Sequence, residues 1–189
     1  MDPLPGRPRC RDGAQRSGGR RARYADDRGG KPIPRLISTT VLPVLLAKNG
    51  GCRLRLSRLE ITATARNSAV SHNEGLVRLG DGESTLEAQP SEITLDRVWI
   101  HGTPTTSTKN GAVFNGRSLA LIDSWIDQVR WKGIESHCVV AWTGAGPMKL
   151  VNDHFDCASI GVLIGGAARA IPGVAPSDIG TASSPRTRT

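Results

Sequence analysis

Ile93-Thr-Leu-Asp-Arg-Val-Trp-Ile-His101 aligns with Leu119-Ala-Leu-Ile-Asp-Ser-Trp-Ile-Asp127, 26 residues later, and with Met148-Lys-Leu-Val-Asn-Asp-His-Phe-Asp156, after a further 29. Each copy reads apolar, variable, apolar, then two or three polar or turn residues, an aromatic residue or His, an apolar residue and a polar one. A unit this short cannot bury its own apolar face, so we expect the copies to stack on one another as a solenoid.

The apolar spacing within each copy predicts strands. Apolar residues alternate with a period of two and are rich in Ile, Leu and Val, which favours strands over helices. The segment 54–61 fits the same template 39 residues before the first copy. We therefore predict a parallel β-helix with stacked parallel strands over residues 36–179. Its predicted inward columns are Leu95, Leu121 and Leu150, and Ile100, Ile126 and Phe155.

The gap of 39 residues indicates one coil that carries a long insertion. We expect residues 71–91, including a short strand at 76–79, to bulge from the solenoid as a flap. Further strands are predicted at 112–114, 138–142 and 160–164.

The positive charge of the chain lies near its ends. Of a formal net charge of +8, residues 1–35 contribute +6, from ten Lys or Arg against four Asp, and Arg186 and Arg188 contribute the rest. We predict disordered tails at 1–30 and 180–189 around a β-helix domain at 31–179. A basic tail binds nucleic acid without sequence preference. Tyr24 alone offers base stacking there, so no specific nucleic-acid partner is expected.

The four cysteines, Cys10, Cys52, Cys138 and Cys157, contain no CxxC pair and no His spacing suited to zinc, so no metal site is predicted. We expect the last three to be small apolar side chains in or near strands. No secretory signal is visible, and Pro43 interrupts the longest apolar run, so no transmembrane segment is expected. The sequence identifies neither a cofactor nor a cellular location.

Four segments together carry a family resemblance: LDRVWIHG at 95–102, NGRSLALIDSWI at 115–126, GPMKLVNDHFDCASIGVLIGG at 146–166 and PSDI at 176–179. They resemble bacterial right-handed parallel β-helix proteins of the pectin-lyase-like superfamily, over about residues 31–179. The resemblance implies a right-handed β-helix of a commonly exported kind. This superfamily includes polysaccharide lyases, glycoside hydrolases, esterases and tailspike-like adhesins.

Both ends of the chain depart from that resemblance. The Arg- and Gly-rich start and residues 180–189 match nothing in the superfamily, so a fragment of a longer gene product is one interpretation. The solenoid is then incomplete, and we expect self-association through its exposed end coils.

Two columns of side chains are predicted to face outward from consecutive coils. Trp99, Trp125 and His154 form the first, and we predict that they bind substrate, because aromatic rings stack on sugars. The second contains His101, Asp127 and Asp156, which we predict as catalytic residues. Two carboxylates about 5 Å apart approach the separation in retaining glycosidases, and their like charges raise one pKa.

Alternatives to a lyase or hydrolase remain open. A non-catalytic carbohydrate-binding or structural β-helix needs only the aromatic residues. The simplest interpretation is that Trp99 and Trp125 pack under the loop 103–111 and that the two Asp are solvated turn groups. A third column, Arg97, Asp123 and Asn152, is predicted to be a structural ladder in left-handed backbone at a turn.

Overall fold

The computed structural model describes residues 24–25, 32–64, 75–168, 171–172 and 179–180, and all regular secondary structure within these ranges is β-strand. Three five-stranded sheets carry the fold, and every strand pair within them is parallel. The chain visits the three sheets in turn, so each coil adds one strand to each sheet. This order is consistent with a parallel β-helix solenoid, and it confirms the predicted all-β, parallel architecture.

The strands are assigned to sheets as follows. Sheet 1 contains β3 (Arg35–Ser38), β6 (Glu60–Ala63), β9 (Trp99–His101), β12 (Trp125–Val129) and β15 (His154–Cys157). Sheet 2 contains β4 (Leu45–Ala47), β7 (Gly75–Leu79), β10 (Asn110–Phe114), β13 (His137–Ala141) and β16 (Ile160–Ile164). Sheet 3 contains β5 (Cys52–Ser57), β8 (Ser91–Asp96), β11 (Arg117–Ile122), β14 (Met148–Val151) and β17 (Ile179–Gly180). A short antiparallel pair, β1 (Tyr24–Ala25) and β2 (Pro32–Ile33), precedes them.

The core lies between the three sheets and is built from the predicted columns. Leu95, Leu121 and Leu150 pair in register on β8, β11 and β14, and all three are buried. Ile100 and Ile126 are fully buried on sheet 1. Phe155, in register with Ile126, is half-buried and packs against the same core. Period-two alternation therefore identified the inward side chains of sheets 1 and 3.

The prediction that residues 71–91 bulge from the solenoid as a flap is wrong for the strand within them. Gly75–Leu79 forms β7, a regular strand of sheet 2 that pairs with β4 and β10. Leu76, Val77 and Leu79 are fully buried, so this segment belongs to the core. The loop 80–90 joins β7 to β8, and residues 65–74 lie outside the described residues.

The turn between sheet 3 and sheet 1 has the same backbone in four coils. Arg58, Arg97, Asp123 and Asn152 have φ values of 54, 51, 51 and 54 degrees, in the left-handed region where Asn and Asp are tolerated best. Each of the first three donates its N–H to a carbonyl of the following coil. Asn152 Nδ2 also donates to Asp123 Oδ1 at 2.6 Å. The predicted turn ladder is confirmed.

The prediction of unpaired cysteines is wrong. Cys138 on β13 and Cys157 on β15 form a disulfide whose Cα atoms lie 5.7 Å apart, and Cys52 is also disulfide-bonded. The two half-cystines are 19 residues apart in sequence, and they meet because consecutive coils bring β13 and β15 together. Apart from residues 24–25 and 180, the predicted disordered tails lie outside the described residues.

Asp96, at the end of β8, is held by two arginines. Its carboxylate is 3% exposed and accepts hydrogen bonds from Arg97 Nε at 2.9 Å, Arg97 Nη2 at 2.6 Å and Arg55 Nη2 at 3.0 Å. The hydrogen bonds from Arg97 outweigh burial and, with Arg55, lower the pKa of Asp96 to about 2. The ionised carboxylate is therefore stabilised in the folded protein.

We expect Asp96→Asn to destabilise the protein by about 1–2 kcal/mol near neutral pH, a value reduced for solvent screening because both arginines are largely exposed. The folded pKa is depressed, so this stabilisation is present above the ordinary value of 3.8 and is lost as the pH falls toward 2. Urea unfolding at several pH values measures the difference. With Glu87→Gln, an exposed acid in the loop 80–90, as control, an Asp96 effect that stays constant down to pH 2 would contradict this origin.

Candidate functional site

Sheet 1 presents two outward columns of side chains on either side of its buried central column. The aromatic column is Trp99, Trp125 and His154, in register on β9, β12 and β15. The polar column is His101, Asp127 and Asp156, in register on the same strands. The structure therefore brings the six predicted site residues together on one sheet face.

The rings of the aromatic column are partly open to solvent and fixed in orientation. Trp125 is 48% exposed, so it does not pack under the loop 103–111. Its ring lies 3.8 Å, centroid to centroid, from the exposed His154 ring. Asp127 accepts both indole N–H groups, from Trp99 at 3.2 Å and from Trp125 at 3.1 Å. One carboxylate therefore holds both indole edges, while the His154 ring lies against Trp125 and the His101 ring against Trp99.

His101 lies in the polar column but is engaged within the protein. It is 8% exposed and stacks on Trp99 at a centroid distance of 4.1 Å. Its Nε2 lies 2.9 Å from Glu60 Oε1 and its Nδ1 lies 2.7 Å from the carbonyl oxygen of Gly102. Both ring nitrogens thus have protein acceptors, which suits a residue that supports Trp99.

Glu60, the partner of His101, is a fully buried carboxylate that also pairs with Arg35. Burial alone would raise the pKa of Glu60, but hydrogen bonds from Arg35 and His101 outweigh burial and hold this pKa below its usual range. Sequence reasoning missed the Arg35, Glu60 and His101 cluster. The signal was present, because Glu60 occupies the aromatic position of the repeat in the segment 54–61.

Asp156 is the exposed end of the polar column. It pairs in register with Asp127 on adjacent parallel strands, whose backbones are about 4.8 Å apart. Asp127 already accepts two indole N–H groups, whereas Asp156 projects into solvent. The catalytic roles predicted for these residues and for His101 stay predictions.

An open cleft of about 420 Å³ runs between the aromatic column and the turn ladder. Trp99, Trp125 and His154 form one side of it. The polar residues on the other side are Arg97, Asp123, Ser124, Asn152 and Asp153. Three of them, Arg97, Asp123 and Asn152, were predicted only as a structural ladder, so the ladder also lines the cleft.

Asp153 is a cleft residue whose carboxyl pKa is strongly shifted from its ordinary value. Its carboxylate accepts the backbone N–H of Ser124 at 2.9 Å and of Val151 at 3.0 Å. Burial, together with a smaller effect of nearby Asp123, outweighs these hydrogen bonds and raises the pKa of Asp153 to about 6. Sequence reasoning missed Asp153, although an acid at a position where other copies carry Val98 and Ser124 was a usable signal.

Comparisons of the chain with protein families, with curated proteins and with solved structures found no match. In the part of the chain that the structure describes, no helix is long and apolar enough to cross a membrane. Within the same ranges, no three His, Cys, Asp or Glu side chains are grouped closely enough to hold a metal ion.

Proposed function

We propose that this protein binds polysaccharide along the outer face of sheet 1, with the aromatic column as the platform for sugar rings. The observation that carries the proposal is the in-register stack of Trp99, Trp125 and His154 beside an open cleft. Trp125 is exposed and Trp99 is half-buried beside it, and contiguous exposed apolar patches often mark binding sites. Their recurrence on successive coils suits a ligand that repeats along its own length.

We further propose that the chain is a right-handed parallel β-helix of the pectin-lyase-like type. The resemblance of four sequence segments supports the superfamily. Handedness has a physical support as well, because crossovers between parallel strands of one sheet are right-handed in nearly all proteins. Each of the three sheets here is built entirely from such crossovers.

Catalysis on a glycan is a second candidate function, favoured by the two carboxylates paired in register, Asp127 and Asp156. Binding is the better supported of the two, because Asp127 and His101 are both held by protein groups. A reducing-sugar or unsaturated-product assay on each polysaccharide that binds decides between a binding module and an enzyme.

Trp125→Ala is expected to weaken glycan binding roughly tenfold or more, and the double variant with Trp99→Ala to abolish it. Each ring that a sugar covers contributes about 1–3 kcal/mol. Isothermal titration of glycan oligomers identified on an array measures the loss. Unchanged circular dichroism and melting temperature establish that the variants are folded.

Leu86→Ala is the matched control, since Leu86 is an exposed apolar residue of the loop 80–90, away from sheet 1. It should leave the affinity unchanged. A Trp125→Ala variant that binds as tightly as the unaltered protein would place the ligand elsewhere and would remove the basis of the proposed function.

A further inference from the structure

Four carboxylates flank the aromatic column. Asp123 and Asp153 line the cleft on the side of the turn ladder, and Asp127 and Asp156 occupy the polar column on the other side. Among the described residues, none of these four carboxylates forms an ion pair with Lys, Arg or His. Any ligand seated on the aromatic rings therefore meets negative charge along both edges.

The positive charge in the cleft is already matched. Arg97 is the one Lys or Arg among the described cleft-lining residues. Its guanidinium makes two hydrogen bonds to Asp96, which lies outside the cleft lining. Asp96 is thus the main partner of Arg97, and Asp123 adds a weaker attraction. The face as a whole keeps an excess of negative charge.

This charge distribution discriminates between classes of glycan. A uronate or sulfated glycan would place like charges beside Asp123, Asp127 and Asp156, a juxtaposition that disfavours binding. A protonated amine supplies N–H donors to carboxylates, and hydrogen bonds between charged groups are the stronger kind. An ammonium group near a Trp face gains a cation–π attraction as well.

The spacing of the groups fits a polymer of such units. Asp127 and Asp156 lie on neighbouring coils of sheet 1, about 4.8 Å apart, and Asp123 lies on the coil of Asp127. Sugars stacked along the aromatic column would direct their substituents toward these carboxylates on either side. We propose that the ligand of the sheet 1 face is a polysaccharide whose sugar units carry protonated amino groups. The inference rests on the proposed function.

The test compares three hexasaccharides of equal length on the full chain: β-1,4-linked glucosamine, its fully N-acetylated form, and oligogalacturonate. Titration is done at low salt and at a pH where the amines are protonated and surface carboxylates are ionised. We expect the amino hexamer to bind at least tenfold more tightly than the N-acetylated hexamer, with the preference falling as salt is added. Oligogalacturonate should bind most weakly.

Asp123→Asn with Asp156→Asn removes two of the charges with little structural change. Asn tolerates the left-handed backbone at 123, as Asn152 does one coil later, and its carbonyl still accepts the Asn152 hydrogen bond. Asp156 is exposed. We expect the double variant to lose roughly four- to tenfold affinity for the amino hexamer and to keep its affinity for the N-acetylated one. Glu87→Gln with Glu92→Gln is the control with equal charge change, since both side chains are exposed and Gln at 92 still accepts the hydrogen bond from Arg53 Nε.

The outcomes separate this inference from the proposed function. Equal binding of the amino and N-acetylated hexamers, or a preference for oligogalacturonate, overturns the amino-glycan inference while leaving glycan binding intact. If hexalysine binds as tightly as the amino hexamer and Trp125→Ala does not weaken either, the face recognises cationic peptides and the inference fails. Binding of none of the three hexasaccharides overturns the inference alone; the proposed function is overturned only if no glycan of the array binds either.

Discussion

Leu121→Ala is expected to lower the free energy of unfolding by about 2–5 kcal/mol. Leu121 is fully buried on β11, in register with Leu95 on one side and Leu150 on the other. Because its neighbours are held by parallel ladders on both sides, they cannot move far to fill the space that the lost methyl groups leave. Urea unfolding, followed by circular dichroism, measures the loss as a lower midpoint at an unchanged slope.

Ile122→Ala is the matched control for this prediction. Ile122 follows Leu121 on the same strand, loses a side chain of similar size, and is only half-buried, because alternate residues of a strand point to opposite faces. Its loss should be less than half as large. Equal losses for the two variants would contradict the assignment of Leu121 to the inward face.

Sheets 1 and 3 could be predicted from sequence because a short turn joins them. The left-handed residue of the turn ladder, such as Arg97 or Asp123, allows few backbone conformations, so its distance to the flanking apolar residues stays constant. Constant distances made the copies at 93, 119 and 148 align, and the alignment then placed the aromatic and polar columns in register.

Sheet 2 was harder to predict for two physical reasons. Every residue of β10 and β13 is buried, so these strands lack the alternation of apolar and polar residues that marks a half-buried strand. The loops that lead into them also differ in length, which destroys a constant offset. Residues 76–79 were consequently recognised as a strand but assigned to a flap.

Several hydrogen bonds and ion pairs of the candidate site join residues of different coils, so no local sequence pattern predicts them. Glu60 and His101 are 41 residues apart, and they meet because β6 and β9 are adjacent strands of sheet 1. The burial of Asp153 likewise depends on groups from the neighbouring coil, including the backbone N–H of Ser124. The sequence predicted which side chains share the outer face of sheet 1. Their hydrogen-bond partners are set by how the coils stack on one another.

Loss of the Cys138–Cys157 disulfide is expected to destabilise the folded protein by about 3 kcal/mol, because the bridge closes a loop of 19 residues and restricts the unfolded chain. Pairing among four cysteines cannot be deduced from sequence, since three connectivities are possible. We expect Cys157→Ala alone and the double variant with Cys138→Ala to lose similar stability. Thermal and urea unfolding measure both.

The effect should be concentrated in the last described coil. β15 and β16 each pair, within the described residues, with one neighbouring strand of their sheet, β12 and β13. The disulfide ties β15 to β13 by a covalent bond, so its removal should speed hydrogen exchange in β15 and β16 before the earlier coils respond.

Unfolding in the presence of a reducing agent is the control for this prediction. Cys52 is also disulfide-bonded, and the double variant shows how much reduction of the Cys52 disulfide contributes to the loss of stability. If the reducing agent lowers the stability of the double variant as much as that of the unaltered protein, the Cys138–Cys157 bridge contributes little and the prediction is wrong.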